Sequence, residues 1–330
     1  MSQPTAGDVH VNRPLTNIAI AYFQDSSDFI ADSVFPNIPV EKQSDAYWTI
    51  PRDAFNRDEM RLRAPGTESA GSGYEVDPNN TYYAHVRAYH HDIPDQVRAN
   101  TDTPLSADAQ ASQLVTQKAL INREVNWVTR YFTTGVWGTD ITGVDSATPG
   151  AGQIGQWNRA DSTPIEDMRL YKRTMKEATG FEPNTLVLGR HVVDTLYDHP
   201  DIIDRIKYGQ TPGNPADVTL NDLAMLFKIP RILVGNAIQN TAPEGAAEVS
   251  QFIFGKGALL CHSAPNPGLM IPSAGYSFSW TGFLAAGNMG IRVKRFRMEH
   301  LESDRVEIQS AYDQKVVSAD LGTFFDQVVA

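Results

Sequence analysis

Several short stretches carry residue types whose spacing could do chemistry. His90, His91 and Asp92 stand together, and on a strand alternate residues share a face. His90 and Asp92 could therefore offer an imidazole and a carboxylate to one divalent cation, the donors of a metal-assisted hydrolase. Two ligands do not close a coordination shell, and no third His or Cys recurs nearby at a matching spacing. Gly150, Gly152 and Gly155 spell the GxGxxG pattern that lets backbone approach a dinucleotide pyrophosphate. That chemistry needs a strand before the glycines and a helix opening through them. Here Thr139 to Pro149 is turn-like and the next helix begins only at Pro164, so a glycine-permissive loop explains the letters. Phe254-Gly255-Lys256-Gly257 resembles part of a phosphate loop, yet Ser250 stands where the first glycine belongs and no Ser or Thr follows Lys256. It reads as a hairpin turn.

Nucleophilic catalysis finds no support either. There is no Gly-x-Ser-x-Gly elbow, and the single cysteine, Cys261, is followed by His262 inside an apolar strand pattern. Neighbouring strand residues point to opposite faces, so the two cannot form a thiolate pair, and Cys261 reads as a small core residue. One cysteine also closes no intramolecular bridge. No catalytic, cofactor-binding or metal residue is assigned, and no cofactor is expected.

The elements that would position any site point to geometry rather than chemistry. The chain has 330 residues, enough to bury a core without disulfides. Acidic residues outnumber basic ones, 39 to 28, giving a formal net charge of -11, and no block of lysines and arginines interrupts this. Phosphate binding as the main function is disfavoured, although net charge does not by itself keep a protein away from densely packed DNA. The N-terminus lacks the basic and apolar regions of a secretory signal, and the longest apolar runs fall far short of the ~20 residues that span a bilayer. A cytosolic origin and no membrane span are expected.

Residues 1–45 alternate polar stretches with isolated hydrophobic clusters: Ile18 to Phe23, Phe29 to Ala31, and Val34 to Val40. Pro36 and Pro39 favour extended backbone before them, so the segment reads as an arm lying along something else, or as a partly ordered tail. Ala46 to Pro51 and Thr81 to His91 are β-compatible runs that can pair as legs of a long hairpin. Between them Arg52 to Asn80 is polar and turn-rich, an irregular stretch that fits a projection packing on a partner.

From Ser106 to about Phe132, Leu114, Ile121, Val125, Val128 and Phe132 recur at helical steps, predicting one apolar stripe on a helix roughly 40 Å long. Thr163-Pro164-Ile165-Glu166 has the order of a capping box with proline at the first helical position, and Gly180 closes the helix. From Asn184 short strands and helices alternate: strand Thr185 to Leu188, helices Arg190 to Tyr197, Ile202 to Tyr208 and Leu220 to Phe227, and strand Arg231 to Val234. A strand, glycine turn and strand follow from Phe252 to Cys261, and another strand from Tyr276 to Phe283. Near the end, the strand bearing Arg292, Lys294, Arg295 and Arg297 must be solvated on one side or paired to a neighbour.

This order of parts resembles the major capsid proteins of tailed double-stranded DNA bacteriophages, the HK97-fold family. Phe29 to Val40 looks like the family's N-terminal arm, and Tyr47 to Asp92 like its extended loop. Ser106 to Phe132 looks like the spine helix, Thr163 to Thr179 like the second helix of the peripheral domain, and Asn184 to about Trp280 like the axial domain. Ile308 to Leu321 resembles the returning peripheral-domain strands. The fold class implied is α+β, an HK97-like capsid fold: arm 1–45, extended β-hairpin loop 46–92, peripheral domain with spine helix 93–183, axial domain 184–284, and returning peripheral-domain strands 285–330.

The resemblance implies a non-enzymatic shell subunit that forms hexamers and pentamers, closing into an icosahedral head around double-stranded DNA. Its implied partners are itself, a separate scaffolding protein or none, a portal, and packaged DNA through non-specific contact, with no membrane. Assembly in the host bacterial cytoplasm and residence in the virion capsid follow. Some family members crosslink through a lysine in the extended loop, but no lysine occurs between Lys42 and Lys118. The loop carries Arg52, Arg57, Arg61 and Arg63 instead, expected to pair with acidic residues of the adjacent subunit. The alternatives are an encapsulin-type nanocompartment shell, which shares the fold, and the metal-dependent hydrolase built on His90, His91 and Asp92.

Overall fold

The computed structural model describes residues 23–49, 55–101, 106–209, 218–268, 271–284 and 290–330. Most of the arm's first half and Arg52 lie outside the described residues. The arm enters through a single helical turn, α1 (Ala31–Val34), and a short strand, β1 (Asn37–Val40). β2 (Ser44–Thr49) and β3 (Asp77–Tyr83) pair antiparallel, but only Thr81–Tyr83 of the expected second leg takes part; the rest of that run, in β4 (His85–Pro94), pairs instead with residues 303–312. α2 (Asp95–Ala99) and the long helix α3 (Ala107–Tyr131) come next, with Ser106 Oγ accepting from the Ala109 N–H at 3.4 Å. β5 (Thr139–Val144) is a strand where a turn-like run was expected, and β6 (Gln153–Gly155) takes in the last of the three glycines. Gly152 has φ +73°, so the GxGxxG letters form a turn into a strand and open no helix.

α4 (Pro164–Thr179) starts and stops at the proline and glycine, with Gly180 left-handed at φ 82°. The capping box expected at Thr163 does not form: Glu166 pairs instead with Arg205 at 2.5 Å. The reciprocal box appears on another helix, where Thr219 and Asp222 satisfy each other's backbone. β7 (Thr185–Gly189), α5 (Arg190–Tyr197), α6 (Pro200–Gly209), α7 (Leu220–Phe227) and β8 (Arg231–Gly235) follow the predicted alternation. β9 (Ile238–Asn240), β10 (Ser250–Phe252), β11 (Ala258–Cys261), β12 (Gly275–Trp280), α8 (Thr281–Leu284), β13 (Ile291–Met298), β14 (Ser303–Val316) and β15 (Gly322–Asp326) complete the order.

Two main sheets organise these elements. One has the order β6-β5-β15-β11-β7-β8. One face packs Leu186, Leu188, Leu260 and Phe325 against Trp157, Met168, Leu196 and Phe227. The other packs Val187, Leu259, Cys261 and Phe324 against Trp127, Phe132 and Phe254. Burial on both faces is why Thr185 to Leu188 and Ala258 to Cys261 read as unbroken apolar runs rather than alternating ones. The Phe254-Gly-Lys-Gly segment is not a hairpin turn, since β10 pairs with β9 while β11 pairs with β15 and β7. The final strand, expected among the returning strands, lies in the middle of this sheet.

The second sheet runs β1-β12-β14-β13, with β4 also pairing β14. β1 is parallel to β12, so the arm is stitched into the sheet some 240 residues later in the chain. α3 lies over this sheet, but the expected stripe is rotated. The residues fully buried along it are Ala111, Val115, Arg123, Glu124, Trp127 and Tyr131, while Leu114, Ile121, Val125 and Val128 are half-buried. A hydrophobic pattern places charges outside, and here two charges face inward because the arm supplies partners for them.

Candidate functional site

The chain holds two projections on firm roots. The hairpin root is aromatic: the Phe278 ring of β12 stacks with Tyr82 at 4.6 Å between centroids and with Tyr47 at 5.5 Å. Such pairs contribute about 0.5–1.5 kcal/mol beyond their buried area. The buried carboxylate of Asp313 accepts the Tyr83 N–H at 2.9 Å. Beyond the root, chain cover ends. Trp48 is 73% exposed and Met60 93%, and Phe55, Leu62 and Tyr74 are exposed as well. A cluster of bare apolar side chains on an anchored projection marks a surface meant for another molecule. Of the loop arginines, Arg57 lies 3.7 Å from Glu59, Arg63 donates to the Thr67 carbonyl, and Arg61 is exposed.

The arm's root is polar at one end and aromatic at the other. Glu124 of α3 accepts the Ile30 N–H at 2.9 Å and the Ala31 N–H at 3.0 Å, one on each carboxylate oxygen. It thereby satisfies donors at the start of α1 that no helical carbonyl reaches. Its neighbour Arg123, 4% exposed, pairs with Asp32 of the arm at 2.6 Å. The guanidinium also lies 4.6 Å from the Tyr312 ring centroid, as does that of Arg87. A few residues on, Phe35 is fully buried among Tyr131, Trp127 and Trp137, at 5.1, 5.6 and 6.3 Å. Gly275 permits this approach, since a Cβ there would sit 2.5 Å from the Phe35 ring. Burial raises the Glu124 carboxyl to about 7 against the opposing pull of its two N–H donors, and burial raises Asp32 against Arg123.

The cationic strand is salt-bridged, one of the two outcomes its sequence left open. Arg297 pairs with Asp95 at 2.5 Å, Arg295 with Asp304 at 2.6 Å, and Lys294 with Glu307 at 3.2 Å. Arg295 and Arg98 together hold Asp304 down at about 2. Exposed, solvent-screened pairs of this kind add little bulk stability, so their effect is to fix register.

The same sheet disposes of the metal reading. His90 lies opposite Glu307, and Asp92 opposite Arg305, which donates to both Asp92 oxygens at 2.7 and 2.8 Å. The carboxylate a cation would need is already engaged. Among the described residues, no group of three or more His, Cys, Asp or Glu side chains is arranged to hold a metal.

A pairing the sequence did not suggest is Ser162 with His199. Oγ and Nε2 are 3.0 Å apart in a buried setting. Nδ1 accepts the Asp201 N–H at 3.2 Å and the serine hydroxyl donates to the Arg159 carbonyl at 2.8 Å. With Nδ1 accepting, Nε2 carries the proton, so the ring cannot take one from Ser162 as a general base would. The contact clamps a turn. Cys261 is fully buried, and burial pushes its thiol up to about 12, so it is inert core as expected.

Lys172 offers a direct test of the packing around α7. Its buried Nζ donates to the Phe227 carbonyl at 3.1 Å and the Lys228 carbonyl at 2.6 Å, closing the helix end. Lys172→Met keeps the stem and strands the carbonyls, with an expected loss of about 1–3 kcal/mol in urea denaturation. A loss of only a few tenths would mean water already serves them.

With this geometry in hand, the architecture finds counterparts across nearly its full length. A phage-related protein from Bordetella bronchiseptica RB50 superposes with a TM-score of 0.68 at 20% identity, covering 93% of each chain. The capsid structure of cyanophage P-SCSP1u gives 0.60 at 11% identity over 97% of this chain and 93% of its own. The SrpI encapsulin of Synechococcus elongatus PCC 7942 gives 0.56 at 11% identity over 100% and 98%. The fold is the α+β fold of HK97-type shell subunits.

Sequence relatives narrow the class. The chain is 26% identical over 230 residues to the major capsid protein of Burkholderia phage BcepMu, covering 69% of each. It is 25% identical over 340 residues to that of Pseudomonas phage JBD67, covering 97% of each. No protein-family model matches the chain. The chain thus has the fold of HK97-type shell subunits, and the sequence relatives it is similar to are major capsid proteins of tailed phages. No helix among the described residues is long and apolar enough to cross a membrane.

Proposed function

We propose that this chain assembles with copies of itself into hexamers and pentamers, which close as an icosahedral head around double-stranded DNA. The observation that carries the reading is the extended hairpin, fixed at its root by Phe278 and Asp313 yet bare at Trp48, Phe55 and Met60. A neighbouring copy would bury that apolar surface, and repetition around a closed shell sums many modest contacts. A separate scaffolding protein and a portal complete the assembly, which takes place in the host cytoplasm. With a net charge of -11, contact with DNA is weak, sequence-independent and sensitive to salt. Residues 1–45 are the arm, 46–92 the extended loop, 93–183 the peripheral domain with the spine helix, 184–284 the axial domain and 285–330 the returning strands. The proposed axial unit shares its sheet with β5, β6 and β15, which lie outside 184–284.

Arg52, Arg57, Arg61 and Arg63 are proposed to face acidic residues of the adjacent subunit. Electron microscopy with light scattering on the purified chain tests the whole reading, since a compact monomer would have a radius of gyration of only ~20 Å. Rings, sheets or shells hundreds of Å across are expected with scaffold present. Substituting all four arginines by serine should reduce particle yield or salt resistance several-fold. Unchanged particles would remove the arginines from the interface, and persistent monomers under coexpression with scaffold would overturn the assembly reading itself. An encapsulin-type container is the second reading, favoured only by the likeness to SrpI encapsulin in fold. Cargo rather than DNA inside the particles would select it.

A further inference from the structure

We propose that Gln24 of the arm guards an open strand edge: its side chain occupies the outward backbone of β9, and removing it turns β9 into an acceptor for an extended segment of a second copy of this chain. β9 and β10 form a sheet of two strands, pairing antiparallel as Ile238 with Phe252, Gln239 with Gln251 and Asn240 with Ser250. Beyond the two ends of the ladder, the Ile253 N–H donates to the Ala237 carbonyl at 2.8 Å and the Thr241 N–H to the Val249 carbonyl at 3.0 Å. Bonded and non-bonded pairs alternate along an antiparallel ladder. Gln239 therefore turns its backbone groups toward β10, while Ile238 and Asn240 turn theirs outward. Both outward groups of Ile238 end on one side chain. Gln24 Nε2 donates to the Ile238 carbonyl and Gln24 Oε1 accepts the Ile238 N–H, each at 2.8 Å.

A carboxamide offers the same donor and acceptor as a peptide group, so this side chain fills one strand position without being able to extend the pairing. The backbone leaves extended geometry directly afterwards. A helical turn over Ser26–Asp28 follows, capped by the Asp25 carboxylate, which accepts the Ser27 N–H at 2.9 Å. At the other end of β9, Asn240 Oδ1 accepts the Ala242 and Val249 N–H groups at 2.9 and 3.1 Å and closes the loop of the ribbon. The surroundings show why the edge needs cover. Ile238, Val249 and Phe23 are all exposed, and an apolar edge with unpaired backbone groups is a template for other chains.

The test uses the full-length chain in dilute solution without other shell components, so its outcome does not hang on the shell reading. In the wild type the Ile238 amide is expected to be protected from hydrogen exchange. Gln24→Ala should speed that amide about tenfold, as loss of an exposed hydrogen bond does, while Gln239, bonded to β10, keeps its rate. Unchanged exchange in β7 reports that the variant is folded. Light scattering should then show several-fold more irregular association for Gln24→Ala than for the wild type, and adding Ile238→Lys, a charge on the edge, should return it to the wild-type level. A wild-type Ile238 amide that exchanges like an unfolded one overturns the proposal whether or not the variants fold. So does a freed Ile238 amide with no rise in association, and so does association that Ile238→Lys leaves undiminished, since the contact then lies elsewhere.

Discussion

Phe35→Ala is expected to cost about 3–5 kcal/mol and to free the arm while leaving the six-stranded sheet folded. The ring is fully buried between Trp127, Tyr131 and Trp137, and that pocket has little room to collapse. Trp137 is held by its indole N–H on the Tyr131 carbonyl at 2.7 Å, and the Tyr131 hydroxyl donates to the Gln314 carbonyl of β14. Large residual cavities place such truncations in the upper part of the range. Chemical denaturation gives the energy. Hydrogen exchange gives the place: amides of residues 30–40 should lose protection while those of β7 keep it. A loss below 1 kcal/mol, or an arm still protected, would mean that β1 pairing and the Glu124 contacts hold the arm without the ring.

Phe325→Ala should be as costly, about 3–5 kcal/mol, but global in its effect. The side chain is fully buried, 5.1 Å from the Tyr171 ring of α4 and 5.9 Å from Trp157. It sits on β15, whose neighbours are β5 on one side and β11 on the other. Loosening it exposes the seam between strands from distant parts of the chain. The expected result is one lowered thermal transition, with α4 and β5 exchanging as fast as β7. A separate early transition confined to residues 139–179 would show instead that the two halves of the sheet are independently stable.

What could be read in the sequence was what local physics decides. Pro164 and Gly180 fix the ends of α4 because one lacks an N–H and the other tolerates positive φ. The apolar runs at 185–188 and 258–261 announced strands, and the polar loop announced a projection. The arm root could not be read. Arg123 and Glu124 look like the wet side of a helix until Asp32 and the Ile30 and Ala31 N–H groups, some 90 residues earlier, are placed against them. The same holds for Asp92, whose neighbours His90 and His91 suggested a metal while Arg305, 213 residues away, had claimed it. Non-local pairing also hid the fate of Glu166, drawn from the expected cap to Arg205. The loop was legible as polar and turn-rich, but no intrachain pattern names a partner on another molecule for its arginines.

The place of β15 in its sheet has a consequence for how the subunit is made. Of the six strands, it is the last to leave the ribosome, and it is the one that joins β6-β5 to β11-β7-β8. During synthesis, then, the nascent chain carries two half-sheets with open edges at β5 and β11, and open edges invite pairing with other chains. A message cut short before codon 322 would yield not a smaller building block but a sticky one. Conversely, a chain on the ribosome cannot offer a finished sheet to its neighbours until this strand has emerged and closed both edges.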